Sequence, residues 1–226
     1  LEQVRALKVQ QDGDYFLTSL LAHPLQTNKN RSNFISSEFV IEQKKKFSFR
    51  KWNSEIGGDY CITDTIRLDG RNYTVFLNAD AMGKSIQGAG GALVLGAAFN
   101  ATLIQAKLGK SSIQYPEIWL RDTYRDLQNI FVSFDGTMYM SILMGLVDEE
   151  TGFMYFLNCE HPFTVLYRQG QASFLEEELE LRKLGVPGEE EKVSIKSFQL
   201  HAGDVIICGS DGRDDLITVK PDGTES

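Results

Sequence analysis

Three aspartates of this chain share one local context, in which a carboxylate borders an apolar strand beside glycine. Asp59 follows two glycines, Asp80 ends the apolar residues 73–79, and Asp211 follows the apolar residues 205–208. Glycine at such a position lets the backbone turn sharply and expose its own carbonyl. Neighbouring carboxylates repel one another unless a cation neutralises them, and Mg²⁺ and Mn²⁺ prefer oxygen ligands. The pattern predicts a carboxylate-rich metal site, with the alternative that each aspartate only stabilises a turn.

Other chemically active residues give weaker signals. His161 fits either a proton donor to a leaving group or a structural residue of the turn before Pro162, and Lys84 fits either a phosphate contact or a solvated lysine. No Ser-His-Asp or Cys-His set indicates nucleophilic catalysis. The cysteines form no CxxC pair and lie in or beside apolar strands, which favours buried hydrophobic residues over a zinc site or a disulfide framework. They are Cys61, Cys159 and Cys208.

The composition is that of one globular domain with a flanking segment. The 226 residues carry 23 basic and 31 acidic side chains, a net charge of −8, with 42% apolar residues. These values exclude full disorder and a collagen-like repeat, and the acidic balance argues against nucleic acid as a partner. The longest apolar stretch, residues 89–99, is shorter than the roughly 20 residues that span a bilayer.

Localisation follows from the same features. The chain has no secretory signal and its cysteines suit a reducing compartment, so we expect a cytoplasmic chain without membrane contact of its own. Because the first residue is Leu1, we expect it to be a piece of a longer protein, with room for a sensor or a membrane anchor in the remaining part.

The hydrophobic pattern predicts a layered α+β domain over residues 34–226, after a helix over residues 1–25 that residues 12–14 interrupt and a polar linker that ends at residue 33. Strands followed by two helices and more strands favour this class over alternating βαβ units. Asp69-Gly70 marks a tight hairpin turn. The predicted strands are 39–41, 47–49, 62–68, 73–78, 138–147, 152–158, 162–168, 172–175, 193–198 and 204–209, the predicted helices are 86–108 and 116–131, and residues 176–191 are a solvated acidic loop.

Four motifs in order resemble those of the SpoIIE-like and RsbU-like serine/threonine phosphatases of the PPM superfamily. Any one of them is a weak signal, whereas the ordered set with its spacing is a strong one. They are residues 56–60 (IGGDY), similar to (V/I)GGD(F/Y); residues 79–89, similar to DxxGKGxxAA; residues 158–163 (NCEHPF), similar to NAGHPP; and residues 202–204 with 209–212, similar to GD…(T/S)DG.

The resemblance implies an αββα sandwich, four layers with two antiparallel sheets, and a metal cluster at one end of them. By position in the motifs, Asp59 and Asp80 bind the cluster, Asp80 as the bridging ligand, the Ala81 carbonyl is the backbone ligand, and Asp211 completes the first metal site. Two Mn²⁺ or Mg²⁺ ions are expected in a complete domain. Relatives continue to a later aspartate that completes the second site, whereas this chain stops at Ser226, so it is expected to be C-terminally truncated and to bind one ion or none.

The function implied is hydrolysis of phosphoserine or phosphothreonine on a bacterial signalling protein, an anti-sigma-factor antagonist in many relatives, by metal-activated water. The N-terminal helix often couples dimerisation to activity in relatives, so a homodimer through residues 1–33 is expected. Two alternatives remain open. One is a catalytically inactive module that uses the fold for partner binding or dimerisation. The other is a metal-dependent phosphodiesterase or nuclease, which the net charge of −8 disfavours.

Overall fold

The computed structural model describes residues 2–83, 86–109, 114–178, 180–188 and 193–215. Two short 3₁₀ helices, His23–Leu25 and Asp211–Asp215, accompany the main elements. The main elements are α1 (Glu2–Ala22), β1 (Lys45–Phe49), β2 (Trp52–Ile56), β3 (Asp59–Leu68), β4 (Arg71–Ala81), α2 (Ile86–Lys107), α3 (Pro116–Val132), β5 (Met140–Asp148), β6 (Phe153–Cys159), β7 (Val165–Arg168), β8 (Gln171–Phe174), β9 (Lys196–Gln199) and β10 (Val205–Ile207).

The central sheet is antiparallel and has the strand order β3-β4-β5-β6-β9. Its longest pair, β3 and β4, is joined by the two-residue turn that the sequence predicts. Asp69 and Gly70 have φ angles of 44° and 78°, the left-handed values that such a hairpin turn requires and that aspartate and glycine tolerate. The predicted hairpin is therefore confirmed, and its turn fixes the register of the two strands.

Helices α2 and α3 cover one face of this sheet, as the sequence predicts. Alternate residues of β4, among them Val75 and Leu77, pack in one core with Phe99 of α2 and Trp119 of α3. By length and composition α2 could cross a membrane. In this fold its apolarity serves the core, since one side of the helix packs on the sheet. The buried residues of α2 are Gly88, Ala89, Gly91, Ala92, Leu95, Gly96, Phe99, Leu103 and Ala106.

The opposite face of the central sheet packs against a second antiparallel sheet, of strand order β10-β7-β8. Leu143 and Phe156 contribute to this inter-sheet core, with Ile206 and Cys208 packed against it. The described residues thus supply three of the four predicted layers, one helical and two of sheet, and confirm the α+β class. Within them, no helix covers the outer face of the second sheet, where four apolar side chains are 44–60% exposed: Tyr167, Phe174, Val205 and Ile207.

Helix α1 is continuous, so the predicted interruption at residues 12–14 is wrong. Packing against the β1–β2 hairpin explains the difference, because a Cβ atom on Gly13 would lie 3.3 Å from the Phe49 ring. Two further aromatic residues of the helix contact the same hairpin. Tyr15 packs at a tilt on Phe47, with 5.6 Å between ring centroids, and Phe16 stacks on Phe49 at 5.3 Å. Tertiary contacts therefore outweigh the low helix propensity of glycine.

The predicted strand at residues 39–41 is also wrong, because the hairpin begins only at Lys45. The preceding segment folds through asparagine side chains instead of a ladder. Asn28 donates to the Ser37 carbonyl at 2.6 Å and Asn30 to the Ile35 carbonyl at 2.7 Å. Such side-chain bonds compete with strand pairing, which the alternation of apolar residues cannot reveal.

Tyr60 packs so closely under α2 that any side chain at Gly96 would cause strain. A Cβ atom at Gly96 would lie 2.5 Å from Cζ of Tyr60, so we expect Gly96→Ala to lower stability by about 1–3 kcal/mol through overpacking. Gly90→Ala is the matched control in the same helix, because nothing lies within 4 Å of its Cβ position, and it should raise stability by about 0.5–1 kcal/mol. Chemical denaturation of both variants tests this, and equal effects would contradict the packing.

Candidate metal centre

Asp59 and Asp80 are direct cross-strand partners at the end of the β3–β4 hairpin that lies away from its turn. Their neighbours Tyr60 and Ala79 lie in the core under the helices, so the two carboxylates project from the other face, towards the second sheet. Directly opposed residues have Cβ atoms about 4.5–5.5 Å apart. Both side chains are half-buried, so the register alone brings two like charges together in a partly dry place.

The pKa of Asp80 reflects its burial and the closeness of these carboxylates. The pKa of Asp80 is raised to about 6, mainly by burial and also by the negative charges of Asp59 and Asp211, whereas Lys183 lowers it. Asp211 begins the 3₁₀ helix that follows β10, and its side chain is exposed. The three aspartates that the sequence singled out thus lie within electrostatic reach of one another, with Asp59 and Asp80 as the close pair.

The close pair is not joined by a third ligand of the same kind. Across the part of the chain that the structure describes, no three His, Cys, Asp or Glu side chains lie close enough together to hold a metal ion. Asp211 therefore stands farther from the pair than a shared ion would place it. Its role as a metal ligand, like those of Asp59 and Asp80, stays a prediction.

Glycines shape the space around the fourth predicted group, the Ala81 carbonyl. A Cβ atom at Gly58 would lie 2.6 Å from the Ala81 oxygen and 2.9 Å from Oδ1 of Asp80, and one at Gly88 would lie 3.4 Å from the Ala81 oxygen. Real Cβ atoms essentially never approach within 3.0 Å. Glycine at position 58 is therefore a condition for the close approach of the 57–59 turn to the end of β4, and it keeps the space beside these oxygens free of side chain.

His161 lies in the turn after β6 and is completely buried. Its Nδ1 bonds with Oγ of Ser141 at 3.0 Å, and its Nε2 bonds with Oδ1 of Asn78. The pKa of His161 is lowered to about 4, mainly by burial and also by the positive charge of Arg213. Both ring nitrogens are engaged and the ring is neutral, which favours the structural interpretation over the proton donor.

The same bonds tie His161 to the candidate site. Ser141 is the β5 partner of Asp80, and Asn78 lies two residues before Asp80 on the same face of β4. His161 therefore braces the row of side chains next to the paired carboxylates. This contact joins residues 83 positions apart in sequence, which explains why the motif alone could not assign it.

Glu176 corrects the prediction that residues 176–191 are wholly solvated. Its side chain is 5% exposed. The carboxylate accepts hydrogen bonds from Nδ2 of Asn158 at 2.8 Å, from the backbone N–H of Thr164 at 2.8 Å and from Oγ1 of Thr164 at 3.0 Å. Three donors compensate its burial, and they fix the 158–164 turn that carries His161. In the sequence, Glu176 stands among several other glutamates, and nothing there indicates that this one is buried.

Two further charged residues contribute here: Lys183 lies outside the four motifs, and Asp204 lies in one of them without a predicted role. Nζ of Lys183 lies 3.4 Å from Oε1 of Glu160, which adopts a φ of 52° where the similar motif has glycine. Asp204 of the 202–204 motif accepts from Nε of Arg168 at 2.8 Å and from its Nη2 at 2.6 Å. This pair holds the start of β10 against β7, so Asp204 stabilises the second sheet that carries Asp211.

The cysteines fit the predicted role of packed hydrophobic residues. Burial raises the pKa of the Cys159 thiol to about 12 and that of Cys61 to about 11, so these thiols are protonated at neutral pH and suit packing better than metal binding. Lys84 lies outside the described residues.

Solved structures share this architecture. The RsbU and RsbW domains of a Mycobacterium tuberculosis protein align with 20% identity over 70% of this chain and 40% of theirs, with a TM-score of 0.54. The PP2C phosphatase domain with a regulatory fragment of SpoIIE from Bacillus subtilis aligns with 19% identity over 70% and 42%, also at 0.54. The catalytic domain of the phosphatase PstP, in complex with two manganese ions, aligns with 14% identity over 71% and 80%, at 0.50.

These likenesses define the class, which is the PP2C, or PPM, phosphatase fold. Residues 70–224 also match the family model of stage II sporulation protein E (SpoIIE), which is more than half of the chain. The chain therefore belongs to the SpoIIE family, as the ordered motifs predict. It spans less than half the length of the first two solved chains. Comparison with curated protein sequences gave no match.

Burial of Asp80 and the like charges around it are expected to lower the stability of the metal-free protein at neutral pH. The folded state raises the pKa of Asp80 from 3.8 to about 6, so the folded state gains relative stability below pH 4 and loses it as pH rises to 6. We expect Asp80→Asn to be more stable than the parent in EDTA at pH 7.5, by about 1 kcal/mol after solvent screening. The gain should vanish near pH 3.5.

Asp69→Asn is the matched control for this measurement, because Asp69 is an exposed carboxylate in the turn of the same hairpin and asparagine also tolerates a left-handed backbone. Thermal unfolding across pH 3.5–8 should show little change for this control. A loss of stability for Asp80→Asn at pH 7.5 would show that the Asp80 charge is compensated within the fold.

Proposed function

We propose that this chain is the phosphatase domain of a metal-dependent phosphoprotein phosphatase acting on phosphoserine or phosphothreonine. The observation that carries the proposal is the opposed pair of Asp59 and Asp80 beside the glycine-lined Ala81 carbonyl. The two like charges lie close together, and the positive charge of Lys183 offsets them only in part, since the pKa of Asp80 stays raised. Such a pair suits a divalent ion. Membership of the SpoIIE family and the PPM fold support the same chemistry.

The residues present fit a hard divalent cation. Asp59 and Asp80 would supply carboxylate oxygens and the Ala81 carbonyl a backbone oxygen. Asp211, which stands farther away here, would have to approach the pair to supply the third carboxylate of the first site. All are oxygen donors of the kind that Mg²⁺ and Mn²⁺ prefer, and the structure of PstP contains two manganese ions. When bound, such an ion activates water and stabilises charge on the phosphoryl oxygens.

The side chains of the chain supply position and charge. Phosphate monoesters require accelerations of up to about 10²¹-fold, most of which comes from orientation and electrostatic stabilisation in this kind of transfer. His161, Ser141 and Asn78 hold the row next to Asp80 in place. Lys183 brings positive charge to the carboxylate pair, since it lowers the pKa of Asp80, and the same charge favours the approach of a phosphate dianion.

The substrate in this proposal is a phosphorylated protein of bacterial signalling, of the anti-sigma-factor antagonist type. Support comes from the solved structure whose chain joins an RsbU domain to an RsbW domain. We also propose a cytoplasmic location and a homodimer through α1, whose exposed apolar side chains favour a partner: Val4, Leu7, Val9, Leu17, Leu20 and Leu21.

Hydrolysis of p-nitrophenyl phosphate and of a phosphoserine peptide tests the proposal. We expect release of phosphate with Mn²⁺, less or none with EDTA, and loss of at least about 100-fold in Asp80→Asn because a ligand of the ion is removed. Asp69→Asn should retain parental activity. Equal turnover by Asp80→Asn and Asp69→Asn would refute the site, and turnover of a phosphodiester alone would support the nuclease alternative.

A second candidate function is a catalytically inactive module that keeps the fold for partner binding. One observation favours it, namely that no three metal-binding side chains cluster within the described residues. Calorimetric titration with Mn²⁺ separates the two functions. Binding that Asp80→Asn abolishes supports the enzyme, whereas no heat of binding at millimolar Mn²⁺ supports the module.

A further inference from the structure

The carbonyl oxygen of Asp59 is held from outside the central sheet. β3 is an outer strand of that sheet, so this oxygen faces an edge that no strand of the sheet covers. Nε2 of Gln43 donates to it at 2.9 Å, and Nε2 of Gln26 approaches it at 3.5 Å. Since N–H···O bonds usually measure about 2.7–3.2 Å, Gln43 makes the stronger of the two contacts.

Gln43 also shapes the turn that leads into Asp59. A Cβ atom at Gly57 would overlap the side-chain oxygen of Gln43 and lie 2.9 Å from its Cδ. The two glycines are thus enclosed from both sides, Gly57 by Gln43 and Gly58 by the Ala81 carbonyl. Gln43 is a buried residue, 7% exposed, which limits replacement of this contact by solvent.

The position of Gln43 follows from the β1–β2 hairpin. The last pair of that hairpin joins Lys45 to Ile56, so Gln43 and Gly57 lie just beyond its base. A cleft of about 760 Å³ runs between α1, this hairpin and the start of β3, and both Gln43 and Asp59 line it. Gln43 is thus the described side chain that bonds the base of the hairpin to the backbone of Asp59.

Stability alone does not explain this glutamine. Its Oε1 is buried without a hydrogen-bond partner among the described residues, and a buried unpartnered oxygen is destabilising. A methionine at this position has a similar length and fills the same space without that oxygen. What only the amide supplies is the N–H donated to Asp59.

We infer that Gln43 is a positioning residue, which fixes the backbone of Asp59 so that the Asp59 carboxylate faces Asp80. The inference rests on the proposed function for its consequence, which is tighter metal binding. Groups that orient metal ligands typically change affinity by about 10–100-fold when removed. Because Gln43 acts on the backbone of one ligand, the effect belongs at the lower end of that range.

Gln43→Met tests the inference with three measurements. The dissociation constant for Mn²⁺ should rise about 10-fold. The thermal midpoint in EDTA should stay within about 2 °C of the parent or rise, since a hydrogen bond and an unpartnered oxygen are lost together. Amide hydrogen exchange of residues 57–60 in EDTA should become faster, because the turn loses its outer contact.

Gln128→Met is the matched control, a buried glutamine on α3 that bonds the backbone of a different loop. Nε2 of Gln128 donates to the Val186 carbonyl at 2.6 Å, and its Oε1 accepts from the backbone N–H of Gly185 at 2.7 Å. This variant loses two satisfied buried bonds, so its thermal midpoint should fall while the folded protein keeps its Mn²⁺ affinity.

The two proposals fail in different ways. Unchanged exchange of residues 57–60 in Gln43→Met overturns the positioning role, as does parental Mn²⁺ affinity in a parent that binds the ion. A thermal midpoint lowered as far as that of Gln128→Met, with unchanged exchange below the transition, assigns Gln43 a purely structural role. No Mn²⁺ binding by the parent refutes the proposed function, and hydrogen exchange in EDTA then decides the role of Gln43 alone.

Discussion

The register of the β3–β4 hairpin is the constraint on which the candidate site depends. Ten paired positions separate the turn, where Leu68 faces Arg71, from the far end, where Asp59 faces Asp80. At about 3.3 Å per residue the carboxylates lie roughly 30 Å from the glycine that sets their alignment. A slip of β4 by one residue against β3 would turn the side chains of β4 to the opposite face, so that Asp80 would point into the apolar core under the helices. A two-residue turn thus decides which face of the sheet carries the charge.

Buried polar residues near the Asp59–Asp80 pair satisfy one another by hydrogen bonds. Burial and the negative charges of Asp59 and Asp211 raise the pKa of Asp80, while His161 and Glu176 near the pair are hydrogen-bonded. His161 uses both ring nitrogens, and Glu176 accepts three hydrogen bonds in a place with almost no solvent. Under the proposed function, a divalent ion would neutralise the charge of the carboxylate pair beside these bonded groups. The repulsion is centred on the carboxylate pair, and residues of several strands hold the surroundings of that pair in place.

The sequence predicted the parts of this arrangement that local chemistry controls. Aspartate followed by glycine at 69–70 predicted the hairpin, and the apolar periodicity predicted α2 and α3. Spacing and residue type brought Asp59, Asp80 and Asp211 forward together. Three features could not be predicted from the sequence: the burial of Glu176, the closeness of Lys183 to Asp80 and the hydrogen bond from Gln43 to Asp59. Each depends on residues that become neighbours only in the folded chain. The same reason explains why the predicted interruption of α1 was wrong, because Gly13 packs against Phe49 only in the folded chain.

The outer edge of β3 has one further consequence. Residues 27–29 lie alongside it, where the N–H of Lys29 donates to the Thr63 carbonyl at 2.8 Å and the N–H of Thr63 to the Thr27 carbonyl at 3.1 Å. This short parallel contact gives β3 the partner that a sheet edge otherwise seeks in another molecule. A chain trimmed to the start of the predicted domain at residue 34 would leave Thr63 unpaired and open a template for intermolecular strand addition. Solubility of the central sheet thus depends on a segment that belongs to the predicted linker.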